Sequence, residues 1–480
     1  MRVEATTGGA ELDLVRVAPA RWRETVGAAV AGGERLLALF AARGEAGGAQ
    51  VRAALRGPDR TRILCVPAAG GEIDSLVELC PAAEWDEREA RDLHGIRFAG
   101  HEPHRALVAH PPALADWTTP VAGEHVHQVA VGPIHAGVIE SGHFRFHVVG
   151  ERVLHVDLRL FYKHRGLERA AEGQPPEQGL ALVARACAAC AVANSVAFAQ
   201  AYESARGLWP EPPLRRARTL LIELERVYNH LNDIGAVCAG IGFAPGAMAF
   251  AGLKERAQRL NRALTGHRFL FGTVLLGGSP LRVEGTRATA AMVELRSLRG
   301  DARELWRQIL FDASVRDRVA GAGTLGQADA ERLGAVGPAA RAAGVRRDAR
   351  EDSPRLWYPG FRAALPPEPR GDVAARLEMR AVELEASFEI LGELLAGHVI
   401  PGFASPHGEP SAHGVASVES PRGETVCALE LREDAVARVH LRTGSYANWP
   451  ALAHAASGAI LPDFPLINKS FELCYACADR

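Results

Sequence analysis

Two cysteine pairs with the same spacing constrain this chain more than any other feature. Cys187 and Cys190 lie near the middle of the sequence, whereas Cys474 and Cys477 lie just before Arg480. The two C-x-x-C pairs are 284 residues apart, from position 190 to position 474. Two such pairs can supply four thiolates to one site if the fold returns the end of the chain to its middle. The sequence therefore predicts a fold organised around that meeting.

The composition is that of a globular protein large enough for two domains, one of them with an extensive core. The chain has 480 residues, of which 48% are hydrophobic and 23% are charged. The 55 basic and 57 acidic residues give a net charge of −2. This balance gives no indication of a polyelectrolyte partner, so no nucleic acid is expected.

Signals for export or membrane insertion are not apparent. Residues 1–12 lack a basic head followed by an apolar stretch, and no uninterrupted apolar run reaches the roughly 18 residues of a membrane-spanning helix. We therefore expect a protein that is soluble by itself or peripheral through partners. In such a protein, pairs with C-x-x-C spacing favour metal or redox chemistry. The isolated cysteines are expected to be small buried hydrophobes: Cys65, Cys80, Cys238 and Cys427.

Residues 1–115 are predicted to form a small α/β domain. Short strands are expected at 51–55 and 62–66, on either side of a Gly-Pro-Asp turn. A proline-rich segment at 103–120 is the expected linker. Residues 21–43 are predicted to form one helix, since their apolar side chains recur at helical spacing: Val26, Val30, Leu36, Leu37 and Phe40.

Residues 121–480 are predicted to form a mostly helical bundle with peripheral β-hairpins, which makes the fold class α+β. Alternating apolar positions predict a β-hairpin from about 127 to 160, and residues 405–442 return to a strand-like pattern. Apolar residues at helical spacing predict long helices at 178–205, 213–240, 253–276, 287–310 and 372–395.

Helical spacing also predicts how the first cysteine pair is presented. On a helix that begins near Gln178, Cys187, Cys190 and Asn194 would project from one face. Arg185 would place a permanent cation beside the thiols and favour their ionised forms. The spacing alone leaves open buried packing of an alanine-rich helix, or a structural zinc site. Zinc sites, however, usually belong to short, locally closed modules.

Several blocks of this sequence resemble the large subunit of nickel–iron hydrogenases of the membrane-associated, energy-converting class related to complex I (group 4). Residues 85–96 and 98–101 are similar to the C-type subunit of complex I. From Gly132 the sequence resembles the family that unites the D-type subunit of complex I with hydrogenase large subunits. The matching blocks include 132–135, 162–168, 223–230, 337–344, 371–372, 419–424, 448–450 and 463–470. The resemblance implies a C-type domain at 1–115 and a D-type domain at 121–480.

The resemblance also implies roles for individual residues at a nickel–iron centre that carries carbon monoxide and cyanide. Cys187 and Cys474 correspond to terminal nickel ligands, and Cys190 and Cys477 to ligands that bridge nickel and iron. Arg422 would lie over the iron cyanides as a fixed cation. Protons from hydrogen would pass to Cys474 or Arg422 and leave through the relay residue Glu140. His135 and His143 would either extend that relay or satisfy backbone groups.

Partners follow from the same resemblance. Electrons would pass to an iron–sulfur cluster in a separate small subunit that resembles the B-type subunit of complex I. Membrane ion-translocating subunits would complete a hetero-oligomeric complex, with this chain on the cytoplasmic side and peripheral to the membrane.

The sequence departs from the hydrogenase pattern at four positions. Ala188 and Asn194 replace a glycine and a histidine around the first pair, and Glu472 and Leu473 replace Asp-Pro before the second. Asparagine can donate a hydrogen bond to sulfur but cannot carry a proton. The alternative is therefore a metal-free or altered-metal relative that acts as a quinone-site or coupling subunit, with His135 and Tyr162 near the quinone. A third interpretation is a structural subunit with a zinc site.

Overall fold

A computed structural model describes residues 11–44, 47–58, 60–135 and 140–480 of this chain. The chain divides into two compact units, of which the first ends at Trp117 and the second extends from Thr118 to Arg480. The division lies between the predicted domain ends at 115 and 121. The fold class is α+β, as predicted.

The first unit is built on a four-stranded sheet in the order β1-β4-β3-β2, in which only the β1–β4 pair is parallel. Its apolar core includes the fully buried Trp22, Leu39 and Leu64. The elements are β1 (Glu11–Arg16), α1 (Trp22–Ala31), β2 (Arg35–Arg43), β3 (Ala49–Arg56), β4 (Arg60–Pro67), β5 (Glu72–Asp74), α2 (Glu84–His94) and β6 (Arg97–Ala99).

The prediction of one helix over residues 21–43 is wrong in its second half. Helix α1 ends at Ala31, and the chain reverses through Gly32 and Gly33, the latter at a φ of 89°. Glycine adopts that left-handed conformation without the strain of a side chain. The following apolar run forms β2, which pairs with β3 and is buried on both faces. The strands predicted at 51–55 and 62–66 are confirmed within β3 and β4.

The second unit begins with an antiparallel sheet in the order β7-β8-β9 and continues into helices. The predicted hairpin at 127–160 is confirmed for its described strands, whereas residues 136–139 lie outside the described residues. The strands are β7 (His127–Val131), β8 (His143–Val149), β9 (Arg152–Arg159), β10 (Leu208–Pro210), β11 (Gly278–Ser279), β12 (Gly402–Pro406), β13 (His413–Ser420), β14 (Gly423–Arg432) and β15 (Ala435–Arg442).

Three of the five long helices predicted in the second unit are confirmed. The predictions at 213–240, 287–310 and 372–395 are confirmed by α6, α8 and α12. The helices are α3 (Leu167–Ala171), α4 (Pro176–Ala184), α5 (Ala191–Ala205), α6 (Pro212–Gly240), α7 (Ala244–Thr265), α8 (Gly285–Phe311), α9 (Ala313–Val319), α10 (Gln327–Arg332), α11 (Gly337–Ala342), α12 (Val373–Ala396), α13 (Gly444–Ala456), α14 (Phe464–Phe471) and α15 (Tyr475–Asp479).

Two predicted helices are shorter than their sequence patterns. Helix α7 extends from Ala244 to Thr265 rather than from 253 to 276. It ends early because Gly266 adopts a φ of 87° and its N–H bonds to the carbonyl of Arg262. The helix predicted at 178–205 is broken into α4 and α5, which meet at a 115° bend. Within the described ranges no single helix is long and apolar enough to cross a membrane, although this bent pair passes the same test of length and composition.

Helix α6 is the centre of the second unit. Helices α7 and α12 pack along it, and α8 packs against both of them. The predicted apolar face of α6 is buried, with its five members at most 2% exposed: Leu220, Leu221, Leu224, Val227 and Leu231. Beyond the start of α6, its charged side chains are buried as well, so this helix can position polar groups away from water on several sides.

Candidate metal centre

The four predicted cysteine ligands meet in one buried cluster of the second unit. The Cys474 thiol donates to Cys187 Sγ over 3.0 Å. The sulfurs of Cys187, Cys474 and Cys477 lie within 4.8 Å of one another. Cys190 completes the cluster through hydrogen bonds with Cys187 and Cys477. Cys474 is half-buried, whereas the other three are at most 6% exposed.

The first pair lies at the bend between α4 and α5. Cys187 is extended, with φ −159° and ψ 137°, and its sulfur accepts the N–H of Ala189 over 3.2 Å. Residues 188–190 then form a single 3₁₀ turn that leads into α5. The prediction that Cys187, Cys190 and Asn194 share one helix face is therefore wrong, because Cys187 precedes the helix. The bend lets both thiols of the pair face the second pair.

The second pair is held by contacts with distant parts of the chain. After α14, Glu472 takes a left-handed conformation, and the N–H of Cys474 donates to Ser445 Oγ over 3.0 Å. Beyond Cys477, the Asp479 carboxylate accepts the backbone N–H groups of Phe161 and Lys163 at 2.7 and 2.9 Å. These bonds fix short helix α15 at both ends.

The thiols differ in how readily they lose a proton. Hydrogen bonds from Cys187 and Cys477 lower the pKa of Cys190 to about 6. The hydrogen bond to Cys187, together with burial, raises the pKa of Cys474 to about 12. Four thiols in so small and dry a space cannot all ionise without compensating positive charge. The cluster thus has the chemistry of a site that binds a cation and releases protons on doing so.

Arg422 is the fixed cation beside this cluster. It lies where β13 turns into β14, and its guanidinium donates two bonds of 3.0 Å to Asp233 and one of 2.6 Å to the carbonyl of Glu472. Burial alone would lower the pKa of Arg422, but Asp233, Cys190 and Cys474 raise it above its usual value. Although burial acts in the opposite direction, Arg422 lowers the pKa of Asp233 to about 2. The pair is therefore ionised and rigid.

Glu140, three residues before β8, contacts the segment that carries the second cysteine pair. Its Oε2 accepts the N–H of Ala476, which lies between Cys474 and Cys477, over 2.6 Å. Burial and the nearby Cys474 raise the pKa of Glu140 above its usual value. A carboxyl group with a raised pKa at this position can hold a proton next to the thiols.

The remaining predicted residues are placed at different distances from the cluster. The His135 ring lies 6.4 Å from the ring of Tyr475, and its buried Nε2 has no hydrogen-bond partner among the described residues. Asn194 is fully buried, and neither amide atom has a partner within the described ranges.

Arg185 is exposed, with its guanidinium 5.3 Å from the ring centre of Phe271. Tyr162 is half-buried, and burial raises its pKa; burial lowers the pKa of His143.

Sequence reasoning did not find the buried ionic groups behind Arg422. Arg380 also donates to Asp233, at 3.2 Å, and His230 Nε2 lies 2.9 Å from Glu383. The signal was present as charged residues within the apolar pattern of 213–240. The buried network consists of Glu223, Arg226, His230, Asp233, Arg341, Asp348, Arg350, Arg380, Glu383, Glu419 and Arg422.

Comparison with known proteins shows the family to which this chain belongs. Residues 240–399 and 397–480 match the 49 Kd subunit family of respiratory-chain NADH dehydrogenase, and residues 15–121 match its 30 Kd subunit family. The protein belongs to the family in which these two complex I domains are fused, and its relatives include group 4 membrane-bound hydrogenase subunits. The resemblance drawn from the sequence blocks is thereby confirmed.

The individual relatives include a subunit of formate hydrogenlyase and a subunit of NADH-quinone oxidoreductase. Formate hydrogenlyase subunit 5 of Escherichia coli K12 is 30% identical over 452 residues, which cover 86% of this chain and 78% of that protein. The C/D subunit of NADH-quinone oxidoreductase from Phocaeicola vulgatus is 26% identical over 408 residues, covering 76% and 78%. In the membrane-bound sulfane sulfur reductase, an archaeal respiratory membrane complex, one chain matches with a TM-score of 0.69 and 25% identity, covering 75% of this chain and all of that one.

Proposed function

We propose that this protein is the catalytic large subunit of a membrane-associated, complex I-like nickel–iron hydrogenase that interconverts hydrogen with protons and electrons. The observation that carries the proposal is the convergence of Cys187, Cys190, Cys474 and Cys477 in one buried cluster. The similarity to a formate hydrogenlyase subunit supports it, since that match extends over 86% of this chain.

The donor set fits a nickel–iron centre. Soft thiolates suit nickel and iron. Three of the four cysteines are buried away from water. Cys187, Cys190, Cys474 and Cys477 would together hold the two metals. When bound, this centre supplies the redox chemistry that interconverts hydrogen with protons and electrons.

The surrounding residues hold and move a proton. Arg422 is a fixed cation whose orientation is set by Asp233 and the carbonyl of Glu472, so it can polarise a small molecule beside the thiols. In this proposal the Cys474 Sγ takes the proton first, since Cys474 is the least buried cysteine of the cluster. Glu140 then accepts it on Oε1, since Oε2 is held by the N–H of Ala476.

The electron and membrane partners are separate subunits in this proposal. The cysteines outside the cluster, Cys65, Cys80, Cys238 and Cys427, are buried and are not grouped for an iron–sulfur cluster within the described residues. An iron–sulfur small subunit would take the electrons, and ion-translocating subunits would attach the complex to the cytoplasmic side of the membrane. The description of a similar structure as a respiratory membrane complex supports this arrangement.

A quinone-site or coupling subunit is the second candidate function. The similarity to the C/D subunit of NADH-quinone oxidoreductase favours it. So does the Nε2 of His135, which has no hydrogen-bond partner among the described residues and could donate to a quinone oxygen. Metal analysis of the purified complex separates the two candidates. About one nickel and one iron per chain, with infrared bands from cyanide and carbon monoxide, would support the hydrogenase. Zinc alone, or no metal, would overturn it.

Glu140→Gln is expected to slow hydrogen-dependent dye reduction by at least about 100-fold, because glutamine keeps the bond to Ala476 but cannot carry a proton. Nickel and iron contents should stay unchanged. Dye reduction and metal content are measured on the same purified complex. Glu472→Gln is the control. Glu472 is also a carboxylate near the cluster, but Arg422 donates to its backbone carbonyl and not to its side chain. Equal activity of Glu140→Gln and the unsubstituted complex would contradict the relay.

A further inference from the structure

Three side chains on one face of α6 surround the turn that carries the first cysteine pair. Glu225, Tyr228 and Asn229 are three and four positions apart, so they project from the same side of the helix. All three are at most 2% exposed. None of them was assigned a role by the sequence patterns, and none belongs to the proton route described above.

Glu225 holds the start of α5, the helix that follows Cys190. Its Oε1 accepts the N–H of Val192 over 2.6 Å and its Oε2 accepts that of Ala193 over 3.0 Å. The first N–H groups of a helix lack partners within the helix and are usually capped by the residue that precedes it. Cys190 occupies that position, but its side chain makes no capping bond. Glu225 therefore replaces the cap, which leaves the Cys190 thiol to the cluster.

Tyr228 and Asn229 hold the other side of the same turn. The Tyr228 hydroxyl donates to the carbonyl of Ala188 over 2.9 Å, and Asn229 Nδ2 donates to that of Ala189 over 2.8 Å. Asn229 Nδ2 also donates to the carbonyl of Glu225, which fixes the amide in this orientation. Helix α6 thus bonds two carbonyls before Cys190 and two N–H groups after it.

Glu225 differs from the other buried carboxylates of α6. Glu223 pairs with Arg226, and Asp233 pairs with Arg422. Within the described ranges no lysine or arginine forms an ion pair with Glu225, whose carboxylate accepts instead from two backbone N–H groups. Burying a carboxyl group away from a counter-ion costs free energy. Its two bonds to the start of α5 offset that cost, which points to a specific task at this turn.

We propose that Glu225, Tyr228 and Asn229 are positioning residues that set the directions of the Cys187 and Cys190 thiols. The alanine-rich turn has no bulky side chains that could fix it by packing, so these four bonds do so. The inference rests on the proposed function only in treating the two thiols as metal ligands. Loss of one bond lets the turn open more often and exposes both thiols.

The test uses the metal-free, full-length chain with Tyr228→Phe. Iodoacetamide labelling rates are measured by mass spectrometry at Cys187, Cys190 and Cys427, a fully buried cysteine of β14 outside the cluster. The rates at Cys187 and Cys190 relative to Cys427 should rise about fivefold, the factor that corresponds to one lost hydrogen bond. The rate at Cys427 reports opening of the whole unit, so the ratio isolates the turn.

Tyr358→Phe is the matched control. The Tyr358 hydroxyl donates to Glu223 on the same helix over 2.7 Å, so this variant also loses one largely buried hydroxyl bond, but away from the cysteine turn. Its labelling ratio should equal that of the unsubstituted chain. If Tyr228→Phe does not fold, Asn229→Ser replaces it in the same measurement. An unchanged ratio in the folded variant overturns the inference.

The labelling result and the proposed function fail separately. Metal analysis of the unsubstituted complex decides whether the site is a nickel–iron centre, and labelling requires neither metal nor hydrogen. A raised ratio in a protein without nickel would support the positioning role and leave the hydrogenase proposal overturned. If the ratio is unchanged and the unsubstituted complex contains nickel, the positioning role is overturned and the hydrogenase proposal is supported.

Discussion

Cys474→Ser is expected to abolish nickel binding and to reduce hydrogen-dependent dye reduction by at least about 100-fold. A serine hydroxyl does not ionise near neutral pH and is a hard oxygen donor, whereas nickel in such sites prefers soft thiolates. The substituted atom lies within the cluster, 3.0 Å from Cys187 Sγ. Nickel content of the purified complex and dye reduction under hydrogen are the two measurements.

Cys238→Ser is the control for this substitution. Cys238 is equally free of disulfides and lies near the end of α6, where burial raises the pKa of its thiol to about 11. It is not part of the four-cysteine cluster. Full nickel content and activity are expected in this variant. Unchanged activity of Cys474→Ser itself would refute the assignment of Cys474 as a ligand.

Arg422→Lys is expected to lower hydrogen-dependent dye reduction about 100-fold while nickel is retained. Lysine keeps the positive charge, but its ammonium group cannot reproduce the two parallel bonds to Asp233 together with the bond to the carbonyl of Glu472. The cation would therefore lose its fixed position beside the cluster. The free energy of unfolding should also fall, by about 1–3 kcal/mol, because buried acceptors lose donors.

Arg218→Lys separates lost direction from lost stability. Arg218 is also buried and donates two bonds to one carboxylate, that of Glu203, without contact with the cysteines. A similar fall in unfolding free energy with full activity is expected, measured by denaturant titration and by dye reduction. If both variants lose activity in proportion to stability, Arg422 has no special role at the site.

The long helices could be predicted from sequence because one physical signal dominates them. Helices α6, α8 and α12 begin and end within about two residues of the predicted bounds, since a continuous apolar face over many turns has few alternatives. The errors arose where another signal outweighed the apolar spacing. Residues 21–43 contain Gly32 and Gly33, whose effect as a helix end outweighed the apolar spacing beyond them.

The sequence predicted which cysteines form the candidate site better than it predicted their arrangement. The repeated C-x-x-C spacing indicates that the two pairs can meet, and they do. The bend at Cys187 could not be predicted, because alanine favours helix and the bonds that stabilise the turn come from Tyr228 and Asn229, about 40 positions away. The pairing of Arg422 with Asp233 spans 189 positions and leaves no local pattern either.

The closure of the cluster by α15 makes the site a reporter of folding. Asp479 bonds to the N–H of Phe161 across 318 positions, and Cys474 reaches Cys187 across 287. Contacts so distant in sequence require the chain between them to close a long loop, at a cost in conformational entropy. The complete set of four thiols therefore exists only in molecules whose second unit has closed. Tight metal retention would then distinguish fully folded molecules from partly folded ones without any assay of catalysis.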